Sequence, residues 1–239
     1  MPEVQLHVEL LAVTPEGENL VALAAKLCYA RSDVGGLREK VNANDQSAFI
    51  EKLLDSGHLS VVEHVSLTFA VEGVSRALLA QLTRHRIASF SVQSQRYVPL
   101  DARFNYILPP RIKELGEEAV AAYHAQMGQI HAWYHDWQKA LGMGESSNED
   151  ARFVLPNACE TKLVMTMNAR ELKHFFRLRC CERAQWEIRA LATEMLRISR
   201  EQLPVLFKGD GPGCVAGPCP EGRMTCGKIR EIRKKFEQL

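Results

Sequence analysis

The sequence feature that most constrains the fold is a long apolar stripe at helical spacing in the last third of the chain. Between Asn168 and Leu203, apolar side chains recur every three or four positions, at Cys181, Ala184, Ile188, Leu191, Met195 and Ile198. This period is typical of a helix with one buried face. It predicts a single helix from Asn168 to Leu203, the longest in the chain, whose stripe must lie in the core.

Strand patterns accompany the helices. Residues 65–72 alternate cleanly, with Val65, Leu67, Phe69 and Val71 on one side, which is typical of a half-buried strand. Further strands are predicted at 4–13 and 161–167, and further helices at 18–29, 45–57, 75–84, 114–141, 149–155 and 228–236. Because the elements do not alternate as βαβ units and no glycine-rich dinucleotide fingerprint is present, we predict an α+β fold. It combines a mixed sheet with long helices and is not a Rossmann domain.

Four segments rich in polar residues, glycine or proline are predicted to be irregular: residues 32–36, 87–97, 99–111 and 142–148. The 239 residues, 46% hydrophobic and 25% charged, suit an ordinary globular protein. We place one domain at residues 1–208 and a Gly/Pro/Cys-rich tail at 209–239.

The charge balance argues against a nucleic-acid partner. Lysine and arginine total 30 and aspartate and glutamate total 29, a formal net charge of +1, whereas chains that wrap nucleic acid usually carry a basic excess. The first residues lack a signal-peptide pattern, and no apolar run has the length of a membrane span. We therefore expect a cytoplasmic protein with neither a nucleic-acid nor a membrane partner.

The seven cysteines are interpreted as reduced thiols, since nothing indicates secretion. Cys214, Cys219 and Cys226 lie in the tail, separated by four and then six residues. This is not a standard zinc spacing, and a fourth ligand would have to come from elsewhere. We predict no metal site, and a metal bound by the tail is the alternative.

Ser75 is predicted to cap the helix 75–84, and a dense group of hydrogen-bonding side chains begins where this helix should end. Arg84, His85 and Arg86 are followed by serines and glutamines and then by Arg96. A solvated helix C-terminus is one interpretation of the three cations. The residues that follow favour an anion site, because arginine is suited to bidentate phosphate binding. Three or four charge-assisted hydrogen bonds, at about 1.5–3 kcal/mol each, would supply much of the roughly 8 kcal/mol behind micromolar affinity.

A second cluster of cations is predicted on the long helix. Arg179 and Arg183 are four residues apart and would share a face. Ion pairs of Arg179 with Glu182 and of Arg183 with Glu187 are the alternative to a functional role. Asn168, at the start of the helix, suits an N-cap.

These residues together resemble the signature of flavin-dependent thymidylate synthases. Arg84-His85-Arg86, seven further residues and Ser94 match the motif RHR-x7-S, and the whole string QLTRHRIASFSVQSQRY from Gln81 to Tyr97 is similar. The resemblance covers roughly residues 20 to 207. It continues at Gly57-His58, Glu63-His64, Ala151–Pro156, Asn168–Arg170, Arg179 and Ala184–Glu187.

The resemblance implies an enzyme that methylates dUMP to dTMP, with methylenetetrahydrofolate as the one-carbon donor and FAD reduced by NADPH as the hydride source. It also implies a homotetramer with FAD at subunit interfaces. The residues carried over as FAD contacts are Ser60, Arg84, His85, Arg86, Asn168, Arg170 and His174. Those carried over for dUMP are Gln81, Arg84, Gln93, Ser94, Gln95, Arg96, Arg152 and Arg179.

Arg179 is the catalytic residue that the resemblance implies. Its fixed positive charge against the uracil ring would stabilise negative charge on the N–C=O edge and make the ring carbon more nucleophilic. Ser94 is interpreted as a phosphate ligand and not as a nucleophile, because no base can be named beside it.

This chain departs from the family pattern at two positions. Val92 stands where Glu or Gln is frequent, with Gln93 as the nearest carboxamide, and Arg183 occupies a place where a histidine can lie near the flavin. His58 is carried over to the neighbourhood of the folate and the nucleotide. Two other functions are considered: a non-catalytic nucleotide- or RNA-binding module, and a structural protein stabilised by metal at the tail cysteines.

Overall fold

A computed structural model of the chain describes residues 3–98, 100 and 104–239. Within them lie the strands β1 (His7–Val13), β2 (Ser66–Ser75), β3 (Ala88–Val92) and β4 (Glu160–Asn168). The helices are α1 (Gly17–Leu27), α2 (Val34–Asn42), α3 (Ser47–Asp55), α4 (Arg76–Leu82), α5 (Pro110–Lys113), α6 (Glu117–Ala140), α7 (Glu145–Ala151), α8 (Ala169–Arg179), α9 (Trp186–Gln202), α10 (Pro204–Phe207) and α11 (Ile229–Glu237).

The four strands form one sheet in the order β1-β2-β4-β3. The hydroxyls of Thr68 and Thr166 lie 2.9 Å apart, and Lys162 donates to Glu72 at 2.9 Å. Numbers therefore rise along β2 as they fall along β4, so these strands are antiparallel. The α+β class is confirmed. The predicted mixed sheet is wrong, because the other pairs are antiparallel too: Thr14 pairs with Ser66 and Gln5 lies beside Gly73. On the other side, Gln93 pairs with Lys162 and Gln95 contacts Cys159. The alternation in β2 is also confirmed, because Leu67 is among its buried side chains.

The chain divides into two compact units. The first contains the described residues of Met1–His7, Ala70–Arg84 and Phe90–Val164. The second contains Val8–Phe69, His85–Ser89 and Met165–Leu239, and so includes the tail.

A buried polar network in the first unit joins α6 and α7. Gln138 donates to the side-chain oxygen of Asn148 at 2.6 Å and to the hydroxyl of Tyr134 at 3.1 Å. The amide of Asn148 in turn donates to the backbone carbonyl of Arg96 at 3.2 Å. A satisfied buried network is rigid, and this one fixes the segment after β3 relative to α7.

The predicted single helix from Asn168 to Leu203 is wrong, because the chain leaves helical geometry between α8 and α9. The side-chain oxygen of Gln185 accepts hydrogen bonds from the amides of Glu187 at 3.0 Å and Ile188 at 3.1 Å, which starts a new helix. The apolar stripe from Ile188 onward is buried as predicted. The longest helix among the described residues is α6, with 24 residues.

All four segments predicted to be irregular contain some regular structure. Residues 32–36 include the start of α2, where Asp33 accepts a hydrogen bond from the amide of Gly36 at 2.7 Å. Residues 87–97 include β3, which pairs with β4 despite its serines. Residues 142–148 include the first turn of α7. In the segment 99–111, residues 99 and 101–103 lie outside the described residues, and α5 begins at Pro110.

The tail is held to the second unit by arginine side chains. Arg200 donates to the carbonyls of Asp210 at 2.7 Å and Phe236 at 2.6 Å, and Arg233 donates to those of Cys214 at 2.9 Å and Gly217 at 2.8 Å. The short charged helix predicted near the end is confirmed as α11. No helix in the part of the chain that the structure describes is long and apolar enough to cross a membrane.

Candidate functional site

The first turn of α8 is closed by a side-chain cap. Asn168 is the N-cap, as predicted, and its side-chain oxygen accepts a hydrogen bond from the amide of Glu171 at 2.9 Å. An acidic residue at this position is favoured by the helix dipole. The cap fixes the backbone of Glu171, whose side chain is buried.

Glu171, His85 and Arg179 form a hydrogen-bonded chain in the second unit. The Nδ1 atom of His85 lies 2.8 Å from a Glu171 carboxylate oxygen, and Arg179 donates from Nε to the His85 Nε2 atom at 3.1 Å. A guanidinium can only donate, so Nε2 must accept and the ring proton must lie on Nδ1, facing the carboxylate. The imidazole is therefore neutral in this arrangement and orients the Arg179 side chain.

Electrostatics agree with a neutral His85. Burial lowers the pKa of the imidazole, the hydrogen bond to Glu171 raises it, and the charge of Arg179 lowers it again, with a net shift downward. His85 is 5% exposed and packs edge-on against Phe175, with ring centroids 5.0 Å apart. The His174 ring lies 5.9 Å away. This packing keeps the imidazole in one orientation.

The remaining predicted FAD contacts of the second unit lie around α8. Arg170 forms an ion pair with Glu63, which belongs to a 3-10 helix, Leu59–His64, packed against α8. Ser60 lies on the same 3-10 helix and is exposed. Arg86 and His174 are exposed as well.

A large cavity of about 1040 Å³ opens beside α8. Arg170 and His174 line it, together with the end of α3 and the tail loop from Gly209 to Pro220. Ligand pockets usually have volumes of about 300–1,000 Å³. Basic side chains and the His174 imidazole beside a cavity of this size fit a large, anionic and partly aromatic cofactor such as FAD.

The predicted dUMP residues 93–96 belong to the first unit, in the turn after β3. The backbone amide of Gln93 donates to the carbonyl of Lys162 at 2.9 Å and extends the pairing with β4. The Ser94 hydroxyl accepts from the amide of Arg96 at 3.2 Å, and the Gln95 side chain donates to the thiol of Cys159 at 3.5 Å. The turn is therefore closed by its own side chains.

The Arg96 side chain contacts two carboxylates of α7. Its Nη2 atom lies 2.9 Å from Glu145, and its Nε atom lies 3.2 Å from Glu149 without hydrogen-bond geometry. These neighbours, Glu149 first, raise the pKa of Arg96. Arg152 donates to the backbone carbonyl of Glu149 at 3.0 Å, so both predicted phosphate-binding arginines contact this residue. A phosphate would compete with the carboxylates for Arg96.

Gln81 lies in the last turn of α4, and Arg84 follows two residues after the helix ends; both belong to the first unit. Arg84 is exposed and Gln81 half-buried. His85 and Arg86, the next residues of the motif, belong to the second unit.

Arg183 contacts the tail instead of Glu187. It donates to the carbonyl of Met224 at 2.9 Å and lies 3.4 Å from Glu221. Glu182 is held by Arg189 at 3.0 Å. Because α8 ends at Arg179, Arg179 and Arg183 do not share a helical face as predicted. His58 precedes the 3-10 helix and is exposed.

All seven cysteine thiols are free. Burial is the main cause that raises the pKa of Cys214, and the nearby thiols of Cys219, Cys181 and Cys226 raise it further. The tail cysteines therefore lie near Cys181, a cysteine of the break after α8. Among the residues that the structure describes, no group of three or more His, Cys, Asp or Glu side chains is arranged to hold a metal ion.

Sequence reasoning missed the carboxylates of the site. Glu171 was not singled out, although the pattern of Asn168 followed three residues later by a glutamate is a recognisable capping signal. Glu145 and Glu149 were also missed, and only the fold brings them to Arg96, about 50 residues away in sequence.

Comparison with known proteins gives concordant matches. A family model described as "Thymidylate synthase complementing protein" (Thy1) matches residues 9–205. A protein of Geobacter sulfurreducens named "Flavin-dependent thymidylate synthase" is 51% identical over 235 residues, 98% of this chain and 99% of its own length. Proteins with the same name from Clostridium tetani and Pyrococcus furiosus are 49% and 41% identical, over 97% and 84% of this chain and equal shares of their own lengths.

Proposed function

The chain belongs to the Thy1 family, the flavin-dependent thymidylate synthases, and from this membership we propose that it methylates dUMP to dTMP. The one-carbon donor in this proposal is 5,10-methylenetetrahydrofolate. FAD is the cofactor, and NADPH is its reductant.

The observation that supports this function best is the buried chain of hydrogen bonds from Glu171 through His85 to Arg179. A guanidinium is always charged in proteins, and a neutral imidazole can orient it without adding a negative charge. We assign to Arg179 the stabilisation of negative charge on the N–C=O edge of the bound uracil. A preorganised charge aimed at developing negative charge is often the largest single contribution to catalysis.

FAD supplies a hydride when it is bound and reduced. We assign its binding to Ser60, Arg84, His85, Arg86, Asn168, Arg170 and His174. The exposed cations beside α8 suit its phosphates, and the cavity lined by Arg170 and His174 has room for a large part of the molecule. The Asn168 side chain caps α8, so its contribution to FAD would be made through its backbone or through the residues that it positions.

We assign dUMP binding to Gln81, Arg84, Gln93, Ser94, Gln95, Arg96, Arg152 and Arg179. The turn after β3 supports a phosphate-binding role because Arg96 and Arg152 both contact Glu149 there. Gln81 and Arg84 would reach dUMP from a neighbouring subunit.

A homotetramer is part of the proposal. It is supported by two large aromatic side chains on the surface of α6, Trp133 at 52% and Trp137 at 54% exposure. Large exposed apolar patches are typical of protein interfaces. The division into a domain at residues 1–208 and a tail at 209–239 stays a prediction.

The proposed function is tested by the visible absorption spectrum of purified protein after addition of FAD and desalting. We expect a retained flavin band that NADPH bleaches without oxygen when dUMP is present, and formation of dTMP once methylenetetrahydrofolate is added. A protein that never retains FAD and forms no dTMP would contradict the proposal and favour a non-catalytic nucleotide-binding module.

A further inference from the structure

The cavity beside α8 has cations beyond those assigned to FAD. Arg170, His174 and Arg177 follow one another at spacings of four and three residues, so they lie on one face of α8, and all three line the cavity. With a rise of about 1.5 Å per residue, Arg177 stands about 10 Å further along the helix than Arg170. The row of basic side chains therefore continues along the cavity wall beyond the predicted FAD contacts.

Arg177 differs from the other arginine and lysine side chains of the cavity because it forms no ion pair with a described residue. Arg170 is paired with Glu63, Lys173 with Asp210 at 2.7 Å, and Lys208 with Glu51 at 2.8 Å. Among the described residues, no carboxylate lies within ion-pair distance of Arg177, which is exposed at the cavity wall. Its charge is available to a ligand.

The tail loop from Gly209 to Pro220 lies close to Arg177. The Arg177 Nε atom lies 3.5 Å from the position that a Cβ atom would take on Gly213. Arg200 and Arg233 hold the carbonyls of Asp210, Cys214 and Gly217. Within the described part of the chain, the amides of Gly213 and Gly217 donate to no acceptor. Backbone N–H groups of such a loop, next to a guanidinium, are suited to an anion.

We propose that Arg177 and the loop residues 211–217 bind a phosphate group of a dinucleotide. This inference rests on the proposed function, which supplies two sources of that chemistry: the pyrophosphate of FAD and the phosphates of NADPH. Arg177 supplies charge and a bidentate fork, and the loop supplies N–H donors, so the site distinguishes a phosphate-bearing ligand from its dephosphorylated counterpart.

The test compares full-length wild-type protein with Arg177→Gln and Arg177→Lys. The matched control is Arg38→Gln, which removes the same charge from an exposed position on α2, outside the cavity. FAD and riboflavin dissociation constants are measured by flavin fluorescence on the apoprotein, and the NADPH concentration dependence of flavin reduction is measured without oxygen. Riboflavin lacks the phosphates and reports the ring alone.

If the phosphate belongs to FAD, Arg177→Gln weakens FAD binding about tenfold to a hundredfold, as expected for one charge-assisted contact, and leaves riboflavin unchanged. If it belongs to NADPH, FAD binding is preserved and the half-saturating NADPH concentration rises by a similar factor. In either case, Arg177→Lys is intermediate and Arg38→Gln is unchanged.

Unchanged FAD and NADPH constants in Arg177→Gln would overturn the inference, as would an equal loss for FAD and riboflavin. Both results require a wild-type protein that binds FAD. A wild-type protein without FAD affinity would instead contradict the proposed function itself.

Discussion

The contact from Arg179 to His85 differs in kind from the ion pairs that several other arginines make with carboxylates. Arg96, Arg170 and Arg197 form ion pairs with glutamates at the surface. The contact from Arg179 to His85 is made to a neutral acceptor that is itself fixed by the buried Glu171. It therefore sets the direction of the guanidinium without adding a negative charge to it, which suits a residue that acts on a bound ring.

Replacement of Arg179 by alanine is expected to lower turnover by about two to three orders of magnitude, the usual cost of losing one preorganised group at developing charge. The free energy of unfolding should fall by only about 1–3 kcal/mol, the usual range for losing hydrogen bonds made by a charged group. The measurements are kcat with saturating substrates and urea denaturation.

Arg179→Lys is the control for this prediction, because it keeps the charge and loses the planar donor to His85. We expect intermediate turnover. A large loss of stability in Arg179→Ala, with full activity per folded molecule, would contradict the catalytic role.

His85 gives the protein a pH dependence of defined sign. Its pKa in the folded protein lies below the ordinary value of 6.5, chiefly because of burial. The neutral form thus stabilises the fold fully above pH 6.5, and this contribution is lost as the pH falls through the lowered pKa. Protonation would also remove the Nε2 acceptor of Arg179.

We therefore expect the difference in unfolding free energy between wild type and His85→Gln to be constant above pH 6.5 and to shrink at lower pH. Chemical denaturation of both proteins at a series of pH values measures it. A difference that grows on acidification would mean that His85 is stabilised in its charged form, contrary to the hydrogen-bond pattern.

At the scale of elements, local sequence patterns predicted the helices and strands correctly wherever a short-range interaction determines the structure. The alternation in β2, the cap by Ser75 and the cap by Asn168 depend on neighbours within four residues, and all three are confirmed. The break after α8 was missed because its apolar spacing continues through a segment that Gln185 caps anew. Strand β3 was missed because its partner, β4, is about 70 residues distant.

The candidate site shows the same contrast between local and distant interactions. The motif around Arg84, His85 and Arg86 was recognisable from the sequence, but the partners of its residues were not. Glu171 is 86 residues from His85 in sequence, and Glu149 is 53 from Arg96. Ion pairs over such separations depend on how the elements pack, and a single sequence contains no local signal for them.

The pairing of α7 with the turn after β3 leads to a prediction about dUMP. Glu149 partly neutralises Arg96, so Glu149→Gln should tighten dUMP binding about two- to fivefold, the range of an exposed ion pair. Arg96→Ala should weaken it by about tenfold or more and leave FAD bound. Calorimetric titration with dUMP, alongside flavin fluorescence, measures both effects.

Lys113→Gln is a matched control, since it breaks an exposed ion pair with Glu3 elsewhere in the first unit and should leave dUMP affinity unchanged. Weaker dUMP binding in Glu149→Gln would mean that the carboxylate positions Arg96 for the phosphate. Loss of FAD together with dUMP in Arg96→Ala would assign the turn to the cofactor.

At the scale of the whole molecule, the exposed face of α6 is a surface whose large apolar side chains the single chain leaves half uncovered. Trp133 and Trp137 are one turn apart and each is about half exposed, while Tyr134 and Gln138 of the same helix are buried. The helix thus presents an apolar strip outward as well as inward. A second copy of the chain is the partner that the proposed homotetramer provides for this strip.

Replacement of both tryptophans by glutamate should therefore dissociate the tetramer, because each copy would place two carboxylates in an apolar contact. Since the proposed FAD sites lie at subunit interfaces, flavin retention should fall with the molecular mass. Light scattering coupled to size exclusion, with absorbance of the eluted flavin, reports both. Tyr29→Glu is the control, because Tyr29 is 90% exposed and belongs to the second unit, whereas α6 belongs to the first. A double variant that remains tetrameric would place the interface elsewhere. Loss of the tetramer with full flavin retention would mean that one chain holds FAD by itself, and the interface location of the site would then be wrong.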